Sequence, residues 1–301
     1  MNTAKLREHL KEATNAHLWG TALDDFSEHL ENGYVEYLTL NDLAVIVERS
    51  DKILVAFEYI EDILERSNDC LPTGWEIAEE NDWSYLGLAI TKKNTSFFKD
   101  IFTYFEELVE SGWLSRYSKS VVFGSRDMGS AACMFSAYFS NTSVAIVEPP
   151  QDLLSVAVYG EKNDEGTQIG FMPSVALTDA IEAANALVVA MDPFEYDSPK
   201  ASDEQLAGIF VLNCRHMDAK TEQFIRQLDM LQPLFEAAMS DNSKFQDLYV
   251  TLRNRRDLKS YLRHLLRKTR SSERVGLEKL LCQNVVSRMQ APYFQSCLDR
   301  L

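Results

Sequence analysis

Six short, almost wholly apolar runs recur along this chain: Ile53–Phe57 (ILVAF), Leu86–Ile90 (LGLAI), Ser120–Ser125 (SVVFGS), Val144–Val147 (VAIV), Ala186–Met191 (ALVVAM) and Ile209–Asn213 (IFVLN). A strand covered on one face alternates apolar and polar residues, whereas a strand covered on both faces reads as an unbroken apolar run. Helix-period segments lie between and after them. Phe97–Gly112 is amphipathic with Gly112 as its stop, Gly129–Phe139 is built of small residues, and Thr221–Met239 repeats apolar side chains from Phe224 to Phe235. Strands alternating with helices of this length predict parallel βαβ units, hence an α/β domain with a doubly wound, mostly parallel sheet. Pro233 inside the last of these helices predicts a kink or a break into two. Two further β-type runs, Val35–Leu40 and Ala44–Val47, come earlier, and a helix over residues 3–13 opens the chain. The polar stretch Ser155–Val175 has no clear periodicity, and residues 195–205 read as a loop.

A length of 301 residues suits one α/β domain with an appendage. Net charge divides it. Residues 1–239 carry 17 Lys and Arg against 40 Asp and Glu, whereas residues 240–301 carry 13 against 6. The expected organisation is an α/β domain over 1–240 and a basic helical C-terminal extension over 241–301. In that extension Leu258, Leu262, Leu265 and Leu266 form an apolar stripe beside Arg255, Lys259, Arg263 and Arg267. Such a stripe is a packing face, and the basic tail is expected to dock on the acidic body of its own chain or of a neighbouring copy, as a homo-oligomer. An acidic body repels nucleic acid and anionic membranes, so neither is an expected partner. The charged N-terminus lacks the apolar segment of a secretory signal and no run approaches membrane-spanning length, so a cytoplasmic location is expected. The cysteines, Cys70, Cys133, Cys214, Cys282 and Cys297, form no CxxC pair and do not cluster with histidines. Neither a metal nor another cofactor is implied.

Doubly wound sheets bind ligands beyond the carboxyl ends of their strands. The positions to inspect are therefore Glu58, Thr91, Ser125 to Gly129, Glu148, Asp192 and His216. The run VVFGSRDMGSAACMFS (Val121–Ser136) stands out among them, because a buried strand enters a glycine turn and then a helix of Gly, Ser and Ala. That is the layout of a nucleophile elbow, in which small residues let helix and strand approach closely and the helix N-terminus offers backbone N–H groups to an oxyanion.

On this run the sequence resembles the α/β-hydrolase family. It is most similar to alphaproteobacterial hydrolase-like proteins often named phosphoadenosine phosphosulfate reductase. The resemblance spans about Leu43 to Arg270. Besides the elbow, it rests on ILVAFE (Ile53–Glu58), NDWSYLGLAI (Asn81–Ile90), FKDIFTYFEELVESGWL (Phe98–Leu114), ALVVAMDP (Ala186–Pro193), RHMD (Arg215–Asp218) and LQPLFEAAM (Leu231–Met239). The family pattern G-x-S-x-G is broken here: aligned on Gly124, Arg126 takes the nucleophile position and Met128 that of the second glycine. A guanidinium has only donors and cannot accept an acyl group. The resemblance implies Asp192 as the acid and His216 as the base, in the family's chain order. It leaves two expectations open. One is a non-catalytic protein that binds a partner or a small-molecule or anionic ligand, the ligand held at Arg126, Gly124 and Gly129. The other is an active serine hydrolase or acyltransferase using Ser125, His216 and Asp192. In either case Arg126 is expected close to His216. The reductase name has no support in the residues, since the SGG-type phosphate loop and the ECG-like cysteine motif of true reductases are both missing.

Overall fold

A computed structural model describes residues 3–30, 32–66, 70–94, 96–154, 168–169, 172–196, 208–240 and 245–301. Eight strands form one sheet: β1 (Gly33–Tyr37), β2 (Leu43–Val47), β3 (Lys52–Tyr59), β4 (Ser84–Ile90), β5 (Lys119–Ser125), β6 (Thr142–Val147), β7 (Ala186–Met191) and β8 (Ile209–Asn213). Their spatial order is β1-β2-β4-β3-β5-β6-β7-β8. β2 runs antiparallel to both β1 and β4, and every other pairing is parallel. This is a sheet of the α/β-hydrolase type, as the apolar runs and the elbow led one to expect.

The apolar runs are buried because both faces are covered, and neighbouring residues on a strand point to opposite sides. Leu54, Ala56, Val121 and Phe123 face one core layer, while Ile53, Val55, Phe57 and Val122 face the other. The second layer is closed by α5 (Phe97–Glu110) and α6 (Met128–Ser136). The first is closed by α1 (Thr3–Leu10), α2 (Ala16–Ser27), α4 (Trp75–Glu80), which follows the short α3 (Ile60–Glu65), and later helices of the chain.

Several boundaries differ from the sequence reading. β1 ends at Tyr37, because the Thr39 and Asp42 side chains close a turn there. The helix expected over Thr221–Met239 is two, α8 (Thr221–Gln227) and α9 (Leu231–Met239), separated at Asp229 with φ of 52°. Of the two outcomes expected from Pro233 the break is the one found, ahead of the proline: Pro233 lies in the first turn of α9, where the missing N–H would have had no intrahelical acceptor. Within the unassigned stretch 155–175, residues 155–167, 170 and 171 are outside the described residues, as is the loop from 197 to 207. α7 (Ser174–Ala183) begins where that stretch ends.

The tail forms α10 (Leu248–Leu252), α11 (Lys259–Ser271), α12 (Val275–Arg288) and α13 (Pro292–Leu298). It packs on its own body: Phe245, Leu248, Leu252, Leu262 and Leu266 join the core layer that also holds Leu212 and Phe224. The Tyr249 hydroxyl donates to the Val211 carbonyl at 3.2 Å and accepts from the Asn213 N–H at 3.2 Å, which caps the β8 edge. No helix among the described residues is long and apolar enough to cross a membrane.

Candidate functional site

β5 delivers Ser125 as its last residue, and Arg126 turns the chain with φ of 51° before α6 starts at Met128. A positive φ at a non-glycine tip is the strained geometry of a nucleophile elbow. The glycines are there for space: a Cβ on Gly124 would fall 2.2 Å from the Met128 carbonyl oxygen, and one on Gly129 would fall 2.6 Å from Ile146 Cγ2. Backbone bonds lock the turn, Arg126 N–H to Val147 O and Gly129 N–H to Arg126 O, both 2.9 Å. The strand-to-helix turn thus has the backbone layout of an elbow, with Arg126 at its tip and Met128 where the pattern has a second glycine.

That side chain is drawn into a cluster of carboxylates. Arg126 Nε donates to Glu148 at 3.2 Å, Nη2 lies 3.4 Å from Glu222, and Nη1 lies 3.6 Å from Asp62. Burial alone would lower the Arg126 pKa, but Glu222, Glu148 and Asp62 outweigh it and hold the guanidinium charged. Glu222 also receives Arg226 at 2.7 Å, the i,i+4 neighbour on α8, and its own N–H donates to Glu148 at 3.1 Å. Arg226 reaches on to Glu58, near the end of β3, at 3.3 Å. Glu58 is buried and further accepts Arg66 at 2.7 Å, the Thr73 N–H at 2.6 Å and the Thr73 hydroxyl. Burial pushes the Glu58 carboxyl up, but the two arginines and Thr73 prevail and hold it below the usual carboxylate range. A continuous ladder of charges therefore runs across the ends of β3, β5 and β6. It forms the floor of a cleft of about 910 Å³ lined by Asp62, Arg66, Thr73, Arg126, Glu222 and Arg226 among others.

The other expected site residues are elsewhere. Asp192 is buried after β7, and both its oxygens are taken by backbone: Phe194 N–H at 3.1 Å and Asp218 N–H at 2.8 Å. His216 follows β8 with φ of 66° and stacks on Phe194, ring centroids 5.0 Å apart. It lines a second cleft, against Leu265, Leu277 and Leu281 of the tail, not the one that holds Arg126. Arg126 and His216, expected close together, line different clefts and share no hydrogen bond among the described residues: the guanidinium faces Glu148, Glu222 and Asp62, and the imidazole stacks on Phe194. No hydrogen bond joins Ser125, Asp192 and His216 among the described residues. An anion at Arg126 would meet the repulsion of three carboxylates that already face its guanidinium.

An acid–imidazole pair does exist nearby, but with residues the sequence reading did not select. Asp218 accepts His264 Nε2 at 3.0 Å and the Lys268 ammonium, both from α11. Burial lowers the His264 pKa against the opposing pull of Asp218. Lys268 and His264 hold the Asp218 carboxyl below its usual range despite its own desolvation. Glu58 and Glu148 had been marked by their strand-end positions. Glu222 and Arg226 carried a weaker signal, the i,i+4 spacing of opposite charges. Arg66, Thr73, Asp218, His264 and Lys268 carried none. All five cysteines are buried free thiols, and burial raises the Cys214 thiol pKa to about 12.

No protein-family model and no curated protein matches the sequence, and nothing supports the reductase name. Among solved structures the chain is similar to Est1E from Butyrivibrio proteoclasticus, at 10% identity over 68% of this chain and 98% of that one, with a TM-score of 0.42. It is similar also to the esterase domain of a Rhodothermus marinus protein, at 13% identity over 71% and 92% with a TM-score of 0.35. A third is the S-formylglutathione hydrolase FrmB of Staphylococcus aureus, at 9% identity over 54% and 76% with a TM-score of 0.34. These neighbours are esterases and hydrolases of low identity to this chain.

Proposed function

We propose that this chain is a hydrolase-fold protein that no longer performs acyl transfer, and that its carboxyl rim binds a small molecule or a partner. The observation that carries this reading is Arg126 at the elbow tip, with its guanidinium spread over Glu148, Glu222 and Asp62. A serine there would need an imidazole within hydrogen-bond reach to take its proton. The one His216 could supply belongs to a different cleft. Carboxylates outnumber the guanidinium around the tip, so a neutral or donor-bearing ligand suits the cleft better than an anion does.

The test is a fluorophosphonate probe applied to the full chain. The expected result is no labelling and no esterase burst. Labelling that disappears in Ser125→Ala would overturn the proposal and establish a serine hydrolase or acyltransferase built on Ser125, His216 and Asp192.

A further inference from the structure

Charge is distributed in opposite senses at the two ends of the sheet. Residues 12–48 contain eight Asp and Glu and no Lys or Arg; they supply α2, the edge strand β1 and the start of the path into β3. Residues 253–274 contain nine Lys and Arg against two Asp and Glu, and they belong to the tail that packs beside β8. Each end also holds large apolar side chains in water. At the acidic end Tyr37 is 46% exposed and Leu40 82%, with Leu18 and Tyr34 near the same strand. The acids surround them: after burial, Asp24 and Asp25 act on the Tyr37 phenol, and Glu36 and Glu48 on that of Tyr34, all raising their pKa. At the basic end Leu277 is 46% exposed and Leu280 61%. These two, with Leu265 and Leu281, line a groove of about 780 Å³ between α11 and α12.

Some of the tail's bases are neutralised at home, Arg270 by Glu278 and Arg288 by Asp257. Arg267, Arg274 and Lys279 are exposed and form no ion pair among the described residues. The acidic end of the same chain cannot reach them. Eight strands spaced ~4.8 Å apart put roughly 34 Å between the two edges. A second copy can bring the two together.

We propose that the α11–α12 groove receives the β1 edge of another copy of this chain, with Leu40 and Tyr37 entering between Leu277 and Leu280. Arg267, Arg274 and Lys279 then face Asp24 and Asp25. The contact is heterologous, one surface meeting a different one, so the copies associate head to tail. Burial of the leucines supplies affinity, and the opposite charges supply orientation and encounter rate.

Sedimentation velocity on the full chain tests this. The expected result is a mass that rises with concentration and falls with salt. Leu280→Asp and Leu40→Asp should each weaken association by about tenfold or more. Mixed one to one, these two variants should pair and stop at the dimer, because each keeps one intact surface. Circular dichroism checks that both fold, and Lys279→Glu replaces Leu280→Asp if that variant does not. A monomer at every concentration overturns the proposal, including a monomer that binds anionic vesicles through Leu280. An oligomer indifferent to both substitutions also overturns it, as does a failure of the mixed variants to pair.

Discussion

The two halves of the carboxyl rim have treated their polar side chains differently. Under the elbow, Glu58, Arg226, Glu222, Arg126 and Glu148 satisfy one another side chain to side chain. At the ends of β7 and β8, Asp192 is satisfied by backbone amides, His216 by an aromatic ring, and Asp218 by α11 of the tail. A catalytic triad needs one polar chain linking these halves. Among the described residues no hydrogen bond joins Ser125, Asp192 and His216 across the two halves. The difference teaches that a strand-to-helix turn has a packing role of its own: Gly124 and Gly129 are fixed by the close approach of backbone and Ile146, whatever side chain stands at the tip.

The largest expected effect comes from breaking the first half at its buried member. Glu58→Ala leaves Arg66 and Arg226 facing each other without their shared carboxylate, and loss of one partner of a buried pair costs about 3–5 kcal/mol. Urea unfolding should show that loss, and a change under about 1 kcal/mol would mean that the ladder is not holding the rim together. Arg126→Ala should cost less, about 1–2 kcal/mol, because the side chain is half exposed and water screens its pairs. The same measurement checks it.

Acidification should separate the halves. The Glu58 and Asp218 carboxyls are held down in the fold, so their stabilisation is complete above the ordinary carboxylate range and is lost as pH falls through their lower folded values. His264 is held down by burial, so the unfolded chain takes its proton first, and stability begins to fall below about pH 6.5. The tail half is thus expected to weaken before the elbow half. Stability measured against pH in His264→Gln should lose the slope between about pH 6.5 and 5 and keep the drop below about pH 4.

Much of this was legible in the chain of residues. The unbroken apolar runs announced strands buried on both faces, and the small residues from Gly124 to Ala132 announced a helix seated tightly on a strand. Strand-end position alone pointed to Glu58, Glu148, Asp192 and His216. What those residues do was not legible. Arg126 reads as a residue at a strand end, and its contact with Glu222 depends on a residue nearly a hundred positions later in the chain. Asp192 reads as a strand-end acid, but that its oxygens accept the Phe194 and Asp218 backbone N–H groups was not legible.

Local patterning by itself determined the sheet, its helices and the bend at the elbow, because burial on two faces, helical period and glycine spacing are properties of neighbouring residues. Which charges meet was decided only by tertiary structure. Coulomb attraction and hydrogen bonding act over a few ångströms in space, and Glu58, Arg126, Glu148 and Arg226 come within that range only once four separate segments have packed.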